Sequence, residues 1–206
     1  MDYKTVRQAA EAEYVIKRSR FIGHIAPVET DTQATAFLEQ IRTKHWDASH
    51  NVYAYVLRAG QIRRYSDDGE PQGTAGIPVL DVLQKEGLTD CALVVTRYFG
   101  GVLLGAGDLV RAYSRCAKLA VDAGGIAERV CCALLRLRCP YDFYGKLAAL
   151  IPESGGAVDD VRYEEAVSLD FYVPLPALAA FEAKLLDAGN GVYRAEKIGE
   201  GYFDKK

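Results

Sequence analysis

Residues able to do chemistry crowd into one stretch, residues 65–78, which holds Asp67, Asp68 and Glu70 beside Gly69, Gly73, Thr74 and Gly76. Closely spaced carboxylates can supply oxygen ligands to Mg²⁺, and one of them can serve as a general base when its neighbours raise its pKa. The same residues are also good turn formers. Gly73 and Thr74, just before a run of helical character, can present backbone amides to an anion. His50 stands before the strand that leads toward this loop and can supply an acid–base group. His50, Asp67, Asp68 and Glu70 are therefore the catalytic alternative, that of a metal-assisted hydrolase. No nucleophile elbow accompanies them, no complete mechanism forms, and neither a catalytic set nor a metal set is assigned.

A second group suits anion or nucleic-acid contact. Arg97 and Tyr98 pair a guanidinium with an aromatic ring, a combination used for phosphate contact and base stacking. Gly100 and Gly101 follow, and Asp108 is the expected N-cap of the next helix, where it would compete with a bound phosphate. Lys17, Arg18 and Arg20 form a short basic cluster, and Arg111 lies on a helix edge with Arg115. The amides of Gly73, Thr74, Gly100 and Gly101 complete this anion-binding set. Neither glycine-rich segment has the Walker lysine pattern or the dinucleotide glycine spacing, so no cofactor is expected.

These groups need elements to hold them. Residues 13–28 read as extended, broken by the basic cluster into a hairpin. Thr30 or Asp31 caps a helix with Ala34, Phe37, Leu38 and Ile41 at helical spacing. Residues 52–57 alternate as a strand, Gly60 turns the chain, and residues 61–65 deliver it to the crowded loop. Pro78 opens a helix that Gly87 ends. Residues 91–96 are nearly all apolar, as a strand buried on both faces requires, and residues 109–123 form a helix. Beyond Gly124-Gly125 the order is βαββαβ: strands at 126–139, 157–163, 166–173 and 192–198, with helices at 142–151 and 175–188. The expected fold class is α+β, with domains 1–124 and 125–206.

Composition sets outer limits. The 206 residues are 50% hydrophobic and 26% charged, enough for a folded core. The net charge of −3, balanced through residue 124, argues against a chain coated in basic residues for indiscriminate nucleic-acid binding. Cys91, Cys116, Cys131, Cys132 and Cys139 lack zinc spacing and read as reduced thiols, which with a polar start and no long apolar run points to the cytoplasm and no membrane.

Taken together, Lys17-Arg18-Ser19-Arg20-Phe21, His50-Asn51 with Tyr53-Ala54-Tyr55, the loop 65–78, Thr96-Arg97-Tyr98-Phe99-Gly100-Gly101, Leu104-Gly105-Ala106-Gly107 and Leu109-Val110-Arg111-Ala112-Tyr113 resemble the Impact/YigZ family. The resemblance implies an N-terminal domain like domain 2 of ribosomal protein S5. It implies a ferredoxin-like C-terminal domain resembling domain V of elongation factor G. Members often carry Lys where Leu103 stands and Gly where Asp108 stands. Both folds recur in translation proteins that meet RNA, so the expected role is nucleic-acid or ribosome binding in translation regulation or stress response. RNA, the ribosome or a translation-associated protein is the expected partner. A protein-interaction module is a further alternative, and the oligomeric state is left open.

Overall fold

The computed structural model describes residues 2–205. The chain forms two compact units, Tyr3–Ala127 and the segment from Glu128 onward with Asp2. In the first unit the strands are β1 (Tyr3–Val6), β2 (Ala10–Ile16), β3 (Ser19–Pro27), β4 (His50–Leu57), β5 (Ile62–Ser66) and β6 (Cys91–Tyr98). The helices are α1 (Asp31–Lys44), α2 (Gly76–Lys85) and α3 (Ala106–Gly124). The sheet runs β2-β3-β6-β4-β5, every pair antiparallel.

Strand period explains why both faces are covered. On β4 and β6, Ala54, Val56, Leu93 and Val95 enter a core with residues of α2 and α3, while Tyr55, Leu57, Ala92 and Val94 enter another with Ala34, Leu38 and Ile41 of α1. Two crossovers, β3-α1-β4 and β5-α2-β6, each skip one strand. Because their helices lie on opposite faces the crossovers have opposite hands, so one departs from the right-handed rule. Thr30 caps α1, its side chain accepting the Gln33 N–H at 3.2 Å, and Gln33 Oε1 in return accepts the Glu29 N–H at 2.7 Å.

The second unit carries most of β7 (Ile126–Cys139), then α4 (Tyr141–Glu153), β8 (Ala157–Tyr163), β9 (Val167–Pro174), α5 (Leu178–Ala188) and β10 (Glu196–Asp204). Strands β10, β7, β9 and β8 pair antiparallel in that order. Leu135, Leu137, Leu169 and Phe171 pack with Phe143, Leu147, Phe181 and Leu185 of the helices. This is the ferredoxin-like order, and the chain is α+β in two domains.

Two expectations need correction. The last strand is Glu196–Asp204 rather than 192–198, because Tyr193 is stacked on Phe143 at 4.2 Å and so belongs to the helical layer. The second helix of this unit begins at Leu178, preceded by a 3-10 turn at Leu175–Ala177.

Candidate functional site

The crowded loop joins β5 to α2, and its three carboxylates serve three separate structural partners. Asp67 caps α2 from a distance: Oδ1 accepts the N–H groups of Ala75 (3.1 Å) and Gly76 (2.8 Å), and Oδ2 accepts that of Gly73 (2.9 Å). Ala75, the N-cap, has no side chain that can do this. A Cβ on Gly76 would lie 2.8 Å from the Ser66 carbonyl, which is why the helix starts on glycine. Asp68 sits at φ 45°, and its Oδ2 accepts the Asn51 N–H at 2.6 Å. Its backbone carbonyl accepts from His50 Nδ1 at 2.8 Å. A carbonyl can only accept, so His50 carries its proton on Nδ1 and turns Nε2 toward Glu70, 3.9 Å from Oε1.

Glu70 is buried and forms a hub. Its Oε1 accepts from Arg97 (2.6 Å) and from the Tyr113 hydroxyl (2.7 Å). The Arg97 guanidinium lies over both the Phe21 and the Phe99 ring, 5.4 and 5.7 Å from their centroids. Phe21 meets Tyr113 edge-to-face at 5.1 Å. Burial, reinforced by the Glu70 charge, pushes the Tyr113 phenol well above its ordinary range, so it remains a donor.

Above this hub lies a surface assembled from three segments. Lys17 and Arg18 form the two-residue turn between β2 and β3, both in left-handed backbone (φ 45° and 66°) as a type I′ turn requires. Gly100 packs directly on that turn: a Cβ there would lie 2.0 Å from the Arg18 carbonyl carbon, and its N–H donates to Ser19 Oγ at 3.2 Å. Lys17 Nζ reaches Asp108 at 2.7 Å, and Arg111 reaches the same carboxylate at 2.6 Å. Those two hydrogen-bonded cations hold the Asp108 carboxyl below its usual range. Phe99, Val102 and Leu103 are exposed on the connecting loop, Leu103 at 84%.

Residues 17–121 match the family model of the Impact N-terminal domain, and residues 137–192 match a domain of unknown function, DUF1949. The IMPACT family member YvyE of Bacillus subtilis is 40% identical, over 92% of this chain and 88% of its own length. The chain belongs to the IMPACT family. Its relative YigZ of Escherichia coli is 37% identical, over 85% of this chain and 88% of its own length. A solved structure, described as the crystal structure of a hypothetical protein, aligns with a TM-score of 0.62 at 33% identity, covering 96% of this chain and 98% of that one.

In this IMPACT family chain the structure sorts the expected site residues sharply. Gly73 and Thr74 do not offer amides to an external anion: Asp67 occupies the first, and the Pro71 carbonyl accepts both the N–H and the hydroxyl of Thr74. Arg97 is 6% exposed and its charge faces Glu70 rather than solvent. Tyr98, adjacent on β6, necessarily points to the opposite face. There its hydroxyl contacts His45 Nδ1 (2.9 Å) and Asp47 (3.1 Å), so Arg97 and Tyr98 build no common surface. Asp108 is not the N-cap of α3; Gly105 is, and Asp108 sits in the first turn. Arg20 pairs with Glu13 at 2.8 Å, Gly101 takes φ 80° in the exposed loop, and Arg18 and Arg111 remain at the surface.

His50, Asp67, Asp68 and Glu70 are neighbours, yet their bonds direct the carboxylates apart. Among the described residues no three His, Cys, Asp or Glu side chains are grouped to hold a metal ion. No described helix is long and apolar enough to cross a membrane. The aromatic residue that sequence reasoning missed is Phe99. Strand parity was the available signal, since residue 99 follows Arg97 by two and so continues its face.

Proposed function

We propose that this protein is a non-enzymatic, cytoplasmic binder of single-stranded RNA acting with the translation machinery. The observation that carries the reading is Phe99, 48% exposed, in contact with Arg97 and followed by Gly100, which packs on the Lys17-Arg18 turn, itself linked through Asp108 to Arg111. A fixed half-exposed ring supplies a stacking face for a base, and cations around it supply phosphate contacts. Lys17 and Arg111, both paired with Asp108, and Arg18 in the same turn as Lys17 outnumber that one acid, so this patch is basic although the chain is not. The engagement of Asp67, Asp68 and Glu70 in capping and ion pairing favours recognition over catalysis. Five unpaired cysteines suit a reducing compartment.

Fluorescence anisotropy with a labelled unstructured RNA at low and moderate salt, together with ribosome co-sedimentation, tests this. Phe99→Ala is expected to weaken RNA binding about tenfold, within the range of one lost stacking contact. Arg18→Glu with Arg111→Glu is expected to abolish it and flatten the salt dependence. Absence of RNA binding at low salt, or binding unchanged in the combined variant, rejects the reading.

A further inference from the structure

The carboxylates of the 65–78 loop are engaged internally, but the polar side chains on another wall of the first unit are not. A cavity of ≈ 540 Å³ opens between the β4–β5 connection and the end of α2. The buried residues Val56, Leu57 and Leu88 line its floor, Arg58, Arg63, Gln61, Gln84 and Thr89 its polar rim, and none of its lining residues is acidic. The side chains of Arg63, Gln61, Gln84 and Thr89 make no hydrogen bond or ion pair to another described residue. Arg58, by contrast, is fixed in place. Its N–H and Nε donate to Asp90 at 2.7 and 3.3 Å, and its guanidinium lies 4.4 Å over the Tyr3 ring.

The backbone around the cavity is also unusual. Gly60 (φ 72°), Gln61 (φ 52°), Gly87 (φ 69°) and Asp90 (φ 52°) are all left-handed. Asp90 has reasons to be so: its carbonyl accepts from Thr5 Oγ1 and Val28 N, both at 3.0 Å, and its carboxylate holds Arg58. Gln61 has no such side-chain anchor. A side chain held in left-handed backbone is strained, and such positions cluster where a chain meets a ligand.

We propose that this cavity binds a mononucleotide. Arg63 and Arg58 take the phosphate, for which two planar guanidinium forks are well matched. Gln61 and Gln84 read the base edge, since an amide side chain both donates and accepts as a heteroaromatic edge demands. Val56 and Leu88, largely buried in the core beneath, form the apolar floor under the base and ribose. Gln84 lies in the last turn of α2, whose partial negative end disfavours phosphate there and favours the donor edge of a base. The volume falls in the range of small-ligand sites. This site shares no residue with the Phe99 surface and stands or falls separately from RNA binding.

Isothermal titration calorimetry of the full chain with AMP, CMP, GMP and UMP, with inorganic phosphate and adenosine as partial ligands, tests the proposal. At least one mononucleotide is expected to bind with Kd below about 1 mM. Arg63→Ala, on an exposed edge-strand position, is expected to weaken it at least tenfold, Arg63→Lys to restore only part, and Gln84→Ala to change the preference among bases. Arg111→Ala is expected to leave the affinity unchanged. No heat from any mononucleotide, affinity indifferent to Arg63→Ala in a protein whose circular dichroism is native, or inorganic phosphate binding as tightly as the best mononucleotide would each overturn it.

Discussion

Acid is expected to destabilise the first unit through one imidazole. His24 on β3 and His45 at the end of α1 are 4% and 8% exposed, their rings 4.9 Å apart and both Nε2 atoms buried without a partner. Burial holds His24 down to about 4 from an ordinary 6.5; Glu11 opposes this, and His45 and Lys44 add to it. Burial likewise lowers His45. A folded pKa below the unfolded one means that the unfolded chain binds more protons between these limits. Stability is therefore complete above about pH 6.5 and is lost as the pH falls toward 4. At about 1.4 kcal/mol per pKa unit, the full fall is worth about 3 kcal/mol, of which about 2.5 is gone by pH 4.5. Glu11, Asp108 and Asp170 are also held low, and their contributions disappear in the carboxylate range below. A difference measurement separates them. Urea unfolding of wild type and His24→Leu, followed by circular dichroism from pH 7.5 to 4.5, should show the variant gaining about 2.5 kcal/mol relative to wild type across that interval. A difference that stays flat with pH would falsify the reasoning.

Three other outcomes follow from the site geometry. Glu70→Leu leaves the Arg97 guanidinium buried without its counter-charge and should cost about 3–5 kcal/mol in urea unfolding, whereas adding Arg97→Met should recover much of the loss. Asp67→Ala exposes the amides of Gly73, Ala75 and Gly76 and should cost about 1–2 kcal/mol. Sulfate should then raise the Tm of this variant more than that of wild type, because the vacated amides form an anion site; equal responses would count against the capping role. Gly100→Ala places a methyl against the Arg18 carbonyl and should destabilise by about 3 kcal/mol, and a native Tm in this variant would show that the turn can move aside.

Fold features were legible in the sequence where one physical demand dominated. Residues 91–96 read as a central strand because both of their faces meet helices, which leaves no position for a polar side chain except Thr96 at the end. The break at Lys17-Arg18 read as a turn because two cations interrupt apolar alternation. Strand β10 lies later than the alternation predicts because Gly199 and Gly201 erase the pattern that marks a strand, while Val192 and Tyr193 imitate one outside it. Strand β1 was missed because its four residues are mostly polar, and its place is set by a distant segment: Thr89 N–H donates to the Lys4 carbonyl at 2.9 Å, and Thr5 to that of Asp90 at 3.0 Å. For the site, residue type was visible and direction was not. Nothing local distinguishes an Asp67 that caps a helix six to nine residues ahead from one that binds a metal. Nothing local reveals that Glu70 meets Arg97 in the core.

Direction also determines how the loop can affect binding without touching a ligand. Asp67 ties α2 to the end of β5, and Glu70, two positions after Asp68, fixes Arg97, which supports Phe99 from below. On the RNA-binding reading, a change at Glu70 loosens the stacking platform although the carboxylate itself is buried. The loss should then appear as reduced affinity with an unchanged salt slope, since no phosphate contact is removed. Arg18→Glu should do the reverse and alter the slope while Phe99 keeps its support. Measuring affinity against salt for Glu70→Gln and Arg18→Glu therefore separates a residue that holds the surface from one that belongs to it. If Glu70→Gln instead steepens the slope, Arg97, released from its counter-charge, acts as a phosphate ligand in the complex.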